Sequence, residues 1–217
     1  MPKKIEKMID FFNNRADNYD DNMRSNIEDF NRFYSKIAME IKETQREINI
    51  LDIGCGTGLE LEYIFKRVPY AKVFCLDLSE RMLNRLKEKY SSKQEQIETR
   101  LGSYVKIPFE ENEYDYIVSV MTLHHLSNNK KLALYNKIYK ALKSNGKYIE
   151  GDYIVDQTKE EKIIKEAVKD NAKTDGNYHI DLPFSIESQK QILTESGFKK
   201  FNLIYEKNEA AVYSVQR

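Results

Sequence analysis

Three glycines at alternate positions, in Leu51-Asp52-Ile53-Gly54-Cys55-Gly56-Thr57-Gly58, separate a short apolar run from a stretch with helical spacing. Residues 50–53 read as a buried strand and 59–67 as a helix, so the glycines fall at a strand-to-helix turn. Glycine lets a backbone approach a ligand closely, and the start of a helix offers N–H groups with no internal partner. A strand, a glycine turn and a helix also open a βαβ unit, which commits the following segments to a parallel sheet.

The alternation continues along the chain. Residues 72–77 read as a second strand. Ser79 caps a helix running to about Tyr90, with Met82, Leu83 and Leu86 on its apolar face. Strands are expected at 97–101 and 114–120, then a helix from about 129 to 143, stopped by Ser144-Asn145-Gly146 ahead of a fifth strand at 147–150. A helix at 185–195 ends at Gly197, and residues 201–205 and 210–215 form two strands around Lys207-Asn208. The polar segment 156–181 contains one helical stretch, 159–168. Ahead of the first strand, Ile5, Met8, Ile9 and Phe12, then Phe30, Phe33, Tyr34, Ile37 and Ile41, predict two helices broken by the Asp/Asn-rich run from Asp17 to Asn22. The expected fold is α/β, with a doubly wound, mostly parallel seven-stranded sheet, an antiparallel C-terminal hairpin and flanking helices.

Composition removes several classes of function. Thirty-five basic against thirty-five acidic residues give no net charge and hence no global field for a polyphosphate, which disfavours nucleic acid as a partner. A hydrophobic content of 41% supports a core and excludes wholesale disorder. Cys55 and Cys75 make no disulfide framework and suggest a reducing compartment. The N-terminal MPKKIEKMIDFFNN lacks the continuous apolar region of a secretory signal, and no stretch approaches the roughly 18 apolar residues of a membrane span. The expectation is a cytoplasmic protein, monomeric or homodimeric. Three histidines with no Cys/His spacing pattern predict no metal site.

The glycine spacing is informative. A dinucleotide loop reads G-x-G-x-x-G, whereas here the third glycine arrives one residue early and Leu59 takes the expected position. Asp77 ends the second strand nineteen residues after Gly58, where a carboxylate can accept both hydroxyls of a ribose. The G-x-G-x-G form resembles motif I of the class I S-adenosylmethionine-dependent methyltransferases. The likeness extends to Gly102-Ser103-Tyr104 after the third strand, to Ile107-Pro108-Phe109 with Tyr114-Asp115-Tyr116, and to Leu142-Lys143-Ser144-Asn145-Gly146, in family order.

That resemblance implies a Rossmann-like domain spanning 1–217: a helical lid at 1–46, a cofactor-binding core at 47–155, an insertion over the pocket at 156–184, and a C-terminal helix and hairpin at 185–217. It implies S-adenosylmethionine as cofactor. Gly54, Cys55, Gly56 and Gly58 would surround its methionine and ribose, Asp52 would reach the ammonium, and Asp77 would hold the ribose. Leu78 and Met82 would pack on the adenine, Met82 being equally readable as a core residue. Ser103 and the backbone of Tyr104 would meet the adenine edge, and the backbone at Val120 and Met121 would accept from the ammonium.

Methyl transfer from a sulfonium needs alignment more than any single catalytic group. Leu123-His124-His125 resembles the family's LHH segment, which supplies a general base in some O-methyltransferases. Adjacent residues in a helical turn point about 100° apart, so at most one histidine faces the methyl group, and His125 is the candidate, either as base or as structural residue. Asp152, just beyond the fifth strand, is a second candidate that would orient the substrate. Phe11-Phe12-Asn13-Asn14-Arg15-Ala16-Asp17-Asn18-Tyr19-Asp20 resembles the lid of small-molecule methyltransferases, with Tyr19 folding over the cofactor. Tyr19, His125, Tyr178 and His179 would line a pocket for a small, partly apolar acceptor. Modification of a tRNA or a protein, or cofactor binding without catalysis, would keep the same loop.

Overall fold

In the computed structural model, which describes residues 6–169 and 177–217, the chain builds one seven-stranded sheet in the order β3-β2-β1-β4-β5-β7-β6. The strands are β1 (Asn49–Ile53), β2 (Lys72–Asp77), β3 (Ile97–Leu101), β4 (Tyr114–Val120), β5 (Leu142–Tyr153), β6 (Lys199–Lys207) and β7 (Ala210–Gln216). β1 pairs in parallel with both β2 and β4, and β5 extends the parallel run before β7 and β6 add antiparallel edges. The chain therefore winds outward from β1 through β2 to β3, then returns to the other side of β1 as β4. That reversal opens a crevice at the carboxyl ends of β1 and β4, the place where open α/β sheets hold ligands.

Side-chain alternation sends Ile50, Val73, Val118 and Ile149 to one face and Leu51, Ile53, Ile117 and Tyr148 to the other. The helices are α1 (Met8–Arg15), α2 (Tyr19–Asn26), α3 (Phe30–Met39), α4 (Leu61–Arg67), α5 (Glu80–Lys89), α6 (Asn128–Ala141), α7 (Gln157–Lys169) and α8 (Ile186–Glu195). Phe33 and Ile37 of α3, Ile64 of α4 and Leu86 of α5 cover the first face; Tyr135 and Ile138 of α6 with Leu193 of α8 cover the second. α3 lies close on β5 because Gly151 presents no side chain there: a Cβ would stand 2.8 Å from Ile37 Cδ1 and 2.9 Å from Phe33 Cζ. None of the described helices is long and apolar enough to cross a membrane.

The structure departs from the sequence expectation in two places. The run from Asp17 to Asn22 is not a break: a 3₁₀ turn at Ala16–Asn18 leads directly into α2, so two expected helices become three. Asp20 and Asp21 fall in the first turn of α2, where acidic side chains complement the helix N-terminus, while Ala16 and Met23 face inward. The true break comes at Asp29, with φ at 54°. Ser144-Asn145-Gly146 likewise does not separate helix from strand, because β5 already begins at Leu142 and runs through it. Tyr114 pairs with Leu142 and Tyr116 with Lys147, so these residues bulge out of the ladder instead of ending an element.

Candidate active site

The glycine turn is strapped to the end of β2 by the N–H groups of Gly54 and Cys55, which donate to the Leu76 carbonyl at 2.8 and 3.2 Å. Gly54 has φ at 67°, and a Cβ there would lie 2.3 Å from Thr122 Oγ1, so the turns after β1 and β4 touch through it. Gly56, with φ at 50°, turns its N–H toward β2 and donates to Asp77 Oδ2 at 2.9 Å.

Asp77 closes β2 with its carboxylate held by two backbone donors, Gly56 N–H on Oδ2 and Ser79 N–H on Oδ1 at 2.8 Å. Burial pushes its pKa up to about 6, and the backbone N–H groups of Ser79 and Gly56 pull part of the way back. The group is thus ionised at neutral pH and has lone pairs to spare for hydroxyl donors. Beneath the turn, Asp52 is fully buried, and neither of its oxygens has a hydrogen-bond partner among the described residues. Burial, with Glu60 next to it, drives the Asp52 carboxyl well above the usual range. Two buried carboxyls side by side favour the protonated form, so Asp52 and Glu60 place a neutral polar pair beneath the turn.

Around Gly54, Gly56 and Asp77 closes a cavity of about 410 Å³ including its mouth. Leu78 and Met82 form one wall, Tyr104 another, and Met121, Thr122 and His125 the side after β4. Met8, Phe12 and Tyr19 form the roof. The roof is latched to α5 and the glycine turn: Asp17 meets Arg81 and Arg85, each at 2.6 Å, Ser79 Oγ donates to Asn13 Oδ1 at 2.7 Å, and Asp20 bonds Thr57 and Lys89. The Asp17 pairs are exposed, where solvent screens the attraction, so the roof is held lightly there.

Leu123–His125 form a 3₁₀ turn beside this cavity. His124 Nδ1 sits 2.5 Å from Asp152 Oδ1, while Asp152 Oδ2 accepts the N–H groups of Leu123 and His124 at 2.9 and 3.0 Å. Burial works to raise the Asp152 carboxyl, but His124, Lys131 and a backbone N–H outweigh it and hold the group below the usual range. His125 Nδ1 faces Asp181 Oδ1 at 3.1 Å and the Ile180 carbonyl at 3.3 Å. Burial, reinforced by His124, pushes its pKa down to about 4, so the ring is neutral at pH 7.

Of the residues singled out in the sequence, Tyr19, Gly54, Gly56, Asp77, Leu78, Met82, Tyr104, Met121 and His125 line the cavity. Asp52, Cys55, Gly58, Ser103, Val120, Asp152, Tyr178 and His179 are not among its lining. Cys55 and Val120 pack into the core with α3 and α4, and Gly58 fits against Leu61, Leu86 and Tyr90. Ser103 Oγ instead accepts from Val105 N–H at 3.3 Å, within its own turn. Asp152, expected at the substrate edge, stands behind His124 with all its capacity used inward. Phe12 belongs to the stretch that resembles a lid but was not assigned a contact there, and Met8 and Thr122 were not singled out; Met8 carries only a helical apolar period, which does not distinguish a cavity roof from a core face.

The described geometry has counterparts among known proteins. A family profile described as a methyltransferase domain matches residues 50–146. The matched stretch is similar to a methyltransferase domain. It carries the glycine turn, Asp77 and the two adjacent histidines, while the roof from α1 and α2, Asp152 and the segment with His179 and Asp181 lie outside the matched stretch.

Among curated proteins, the chain is 25% identical over 202 residues to a carboxy-S-adenosyl-L-methionine synthase of Ruthia magnifica, covering 89% of this chain and 84% of that protein. It is 29% identical over 150 residues to a demethylmenaquinone methyltransferase of Bacillus cereus, covering 67% of this chain and 62% of that protein. It is also 27% identical over 157 residues to the biotin biosynthesis bifunctional protein BioHC of Teredinibacter turnerae, where the match covers 69% of this chain and 26% of that protein. Human N-acetylserotonin methyltransferase, solved with S-adenosylmethionine, shares the fold with a TM-score of 0.63 at 17% identity, over 85% of this chain and 51% of that one.

Proposed function

We propose that the chain, working as a single catalytic unit, moves a methyl group from S-adenosylmethionine to a small-molecule acceptor beneath the α1–α2 roof. The observation that carries this reading is the ionised Asp77 carboxylate, set at the switch point beside a glycine turn that opens on the same cavity. The pocket's residues suit an adenosyl amino acid: Asp77 would accept from the ribose hydroxyls, Leu78 with Met82 would cover the adenine, and Asp52, beneath the glycine turn, would reach the ammonium through water. The Tyr104 backbone would meet the adenine edge, the Ser103 hydroxyl being engaged within its own turn. The cofactor supplies an activated methyl on a sulfonium, so what remains for the protein is alignment and exclusion of water. Tyr19, half-buried and packed over Gly56, would seal the cofactor from solvent. His125, neutral and on the cavity wall, faces the acceptor side, and Asp152 acts there only through His124.

A cavity of aromatic, apolar and imidazole groups suits a small, partly apolar acceptor, and the balanced charge and two free cysteines agree with a cytoplasmic enzyme that does not bind nucleic acid. Incubating the protein with methyl-labelled cofactor and a metabolite extract should move label into one low-molecular-weight fraction. Label appearing only in RNA or protein would refute the choice of acceptor class.

A further inference from the structure

We propose that His124, His125 and Asp181 form a binding site for a divalent transition-metal ion at the edge of the cavity, where the ion would hold an oxygen of the acceptor. All three histidines of the chain gather around one carboxylate oxygen: His125 Nδ1 lies 3.1 Å, His124 Nε2 3.8 Å and His179 Nε2 3.9 Å from Asp181 Oδ1. One ligand atom from each of His124, His125 and Asp181 lies within 4.8 Å of the others. Metal–nitrogen and metal–oxygen bonds of roughly 2.1 Å place the ligands of a tetrahedral ion about 3.4 Å apart, so shifts of an ångström or so at side chains close the set.

A second observation points the same way. Asp152 holds His124 Nδ1 at 2.5 Å and is itself fixed by three backbone N–H groups, of Leu123, His124 and Tyr153. With Nδ1 engaged by Asp152, Nε2 is the ring nitrogen left for a further partner, and it lies 3.8 Å from Asp181 Oδ1, beyond hydrogen-bonding distance. One carboxylate oxygen thus stands between two imidazoles at a spacing that a single cation among them would close. A buried carboxylate, a histidine and an ion in line is also the usual way a ligating imidazole is oriented and made more basic.

Two imidazoles and a carboxylate suit zinc, iron(II) or cobalt(II) better than magnesium or calcium, which prefer all-oxygen shells. Three protein ligands leave coordination positions open, the pattern of an ion that meets a substrate. His125 belongs to the cavity wall and Asp181 is exposed, so those positions are reachable from the cavity and from solvent. The role given to the ion, holding an acceptor oxygen, rests on the methyl-transfer reading; the site itself does not.

Cobalt(II) is the probe. Protein stripped with a chelator and titrated with Co²⁺ should bind one ion per chain and develop visible absorption bands of nitrogen-ligated cobalt. His124→Ala and Asp181→Asn should each abolish uptake, and Asp152→Asn should weaken it roughly 10- to 100-fold. Asp181 is exposed, so Asp181→Asn leaves the core untouched, and circular dichroism verifies folding of each variant. No uptake by the wild type, or uptake that survives both His124→Ala and Asp181→Asn, overturns the site. S-adenosylhomocysteine binding by the same samples separates the two ideas: its absence from wild-type protein counts against the methyltransferase reading, whereas its retention without metal uptake counts against the metal site alone.

Discussion

Asp77 should weaken the unliganded fold that it equips for binding. Its folded pKa of about 6, against an ordinary 3.8, means that folding favours the protonated form. The corresponding stability is fully present below pH 3.8 and is lost as pH rises through 6. At neutral pH the ionised carboxylate therefore costs folding about 3 kcal/mol, since each pH unit between the two pKa values is worth about 1.36 kcal/mol. Asp77→Asn keeps the shape and removes the titration. Urea unfolding of both proteins across pH, without ligand, should show the variant gaining on the wild type by about 3 kcal/mol at pH 7.5 and by under about 1 kcal/mol at pH 4, relative to their difference at still lower pH. Other groups titrate in both proteins and cancel in the difference. Saturating S-adenosylhomocysteine should reverse the order at neutral pH, because an amide cannot accept from two hydroxyls as a carboxylate does. A pH-independent difference, or a wild type that gains on the variant as pH rises without ligand, rules out this role for Asp77.

Other changes probe the turns, the roof and the core. Gly54→Ala should destabilise the protein by more than the roughly 1 kcal/mol of a glycine-to-alanine change at positive φ, because its Cβ would fall 2.3 Å from Thr122 Oγ1; combining it with Thr122→Ala should recover part of the loss in a double-mutant cycle. Asp17→Asn removes the exposed latch to Arg81 and Arg85, so stopped-flow fluorescence should show S-adenosylhomocysteine leaving faster while the urea midpoint barely moves. Ile37→Ala opens a hole where α3 meets β5 and should cost about 2–5 kcal/mol in urea unfolding, with little change in ligand affinity.

Much of the frame is legible in the sequence because β1, β2 and β4 are short, largely apolar runs between turns. β2, β3 and β4 begin and end at the expected residues, and Ser79 caps α5 as expected, accepting from Met82 N–H at 3.2 Å. The errors share a cause. In Asp17–Asn22 and Ser144–Gly146 the local composition favours a loop, but tertiary partners decide: Arg81 and Arg85 take the carboxylate of Asp17, and β4 pairs with the strand on both sides of the bulge.

The glycine turn and Asp77 could be read locally because both belong to one βαβ unit. The histidine cluster could not. His124 and His125 follow β4, Asp152 ends β5, and His179 and Asp181 come after α7, so only the completed sheet brings them together. Spacing rules for metal ligands look along the chain and miss such a group.

If the crevice between β1 and β4 receives an adenosyl ligand through Asp77, isothermal titration will detect it without knowledge of the acceptor. The purified protein is titrated with S-adenosylhomocysteine and with NAD, and both titrations are repeated on Asp77→Ala. Saturable, one-to-one binding of S-adenosylhomocysteine is expected, with no binding of NAD and loss of most of the affinity in Asp77→Ala while circular dichroism shows the fold intact. Binding of NAD in place of S-adenosylhomocysteine, or undiminished affinity in Asp77→Ala, would contradict the assignment of this crevice.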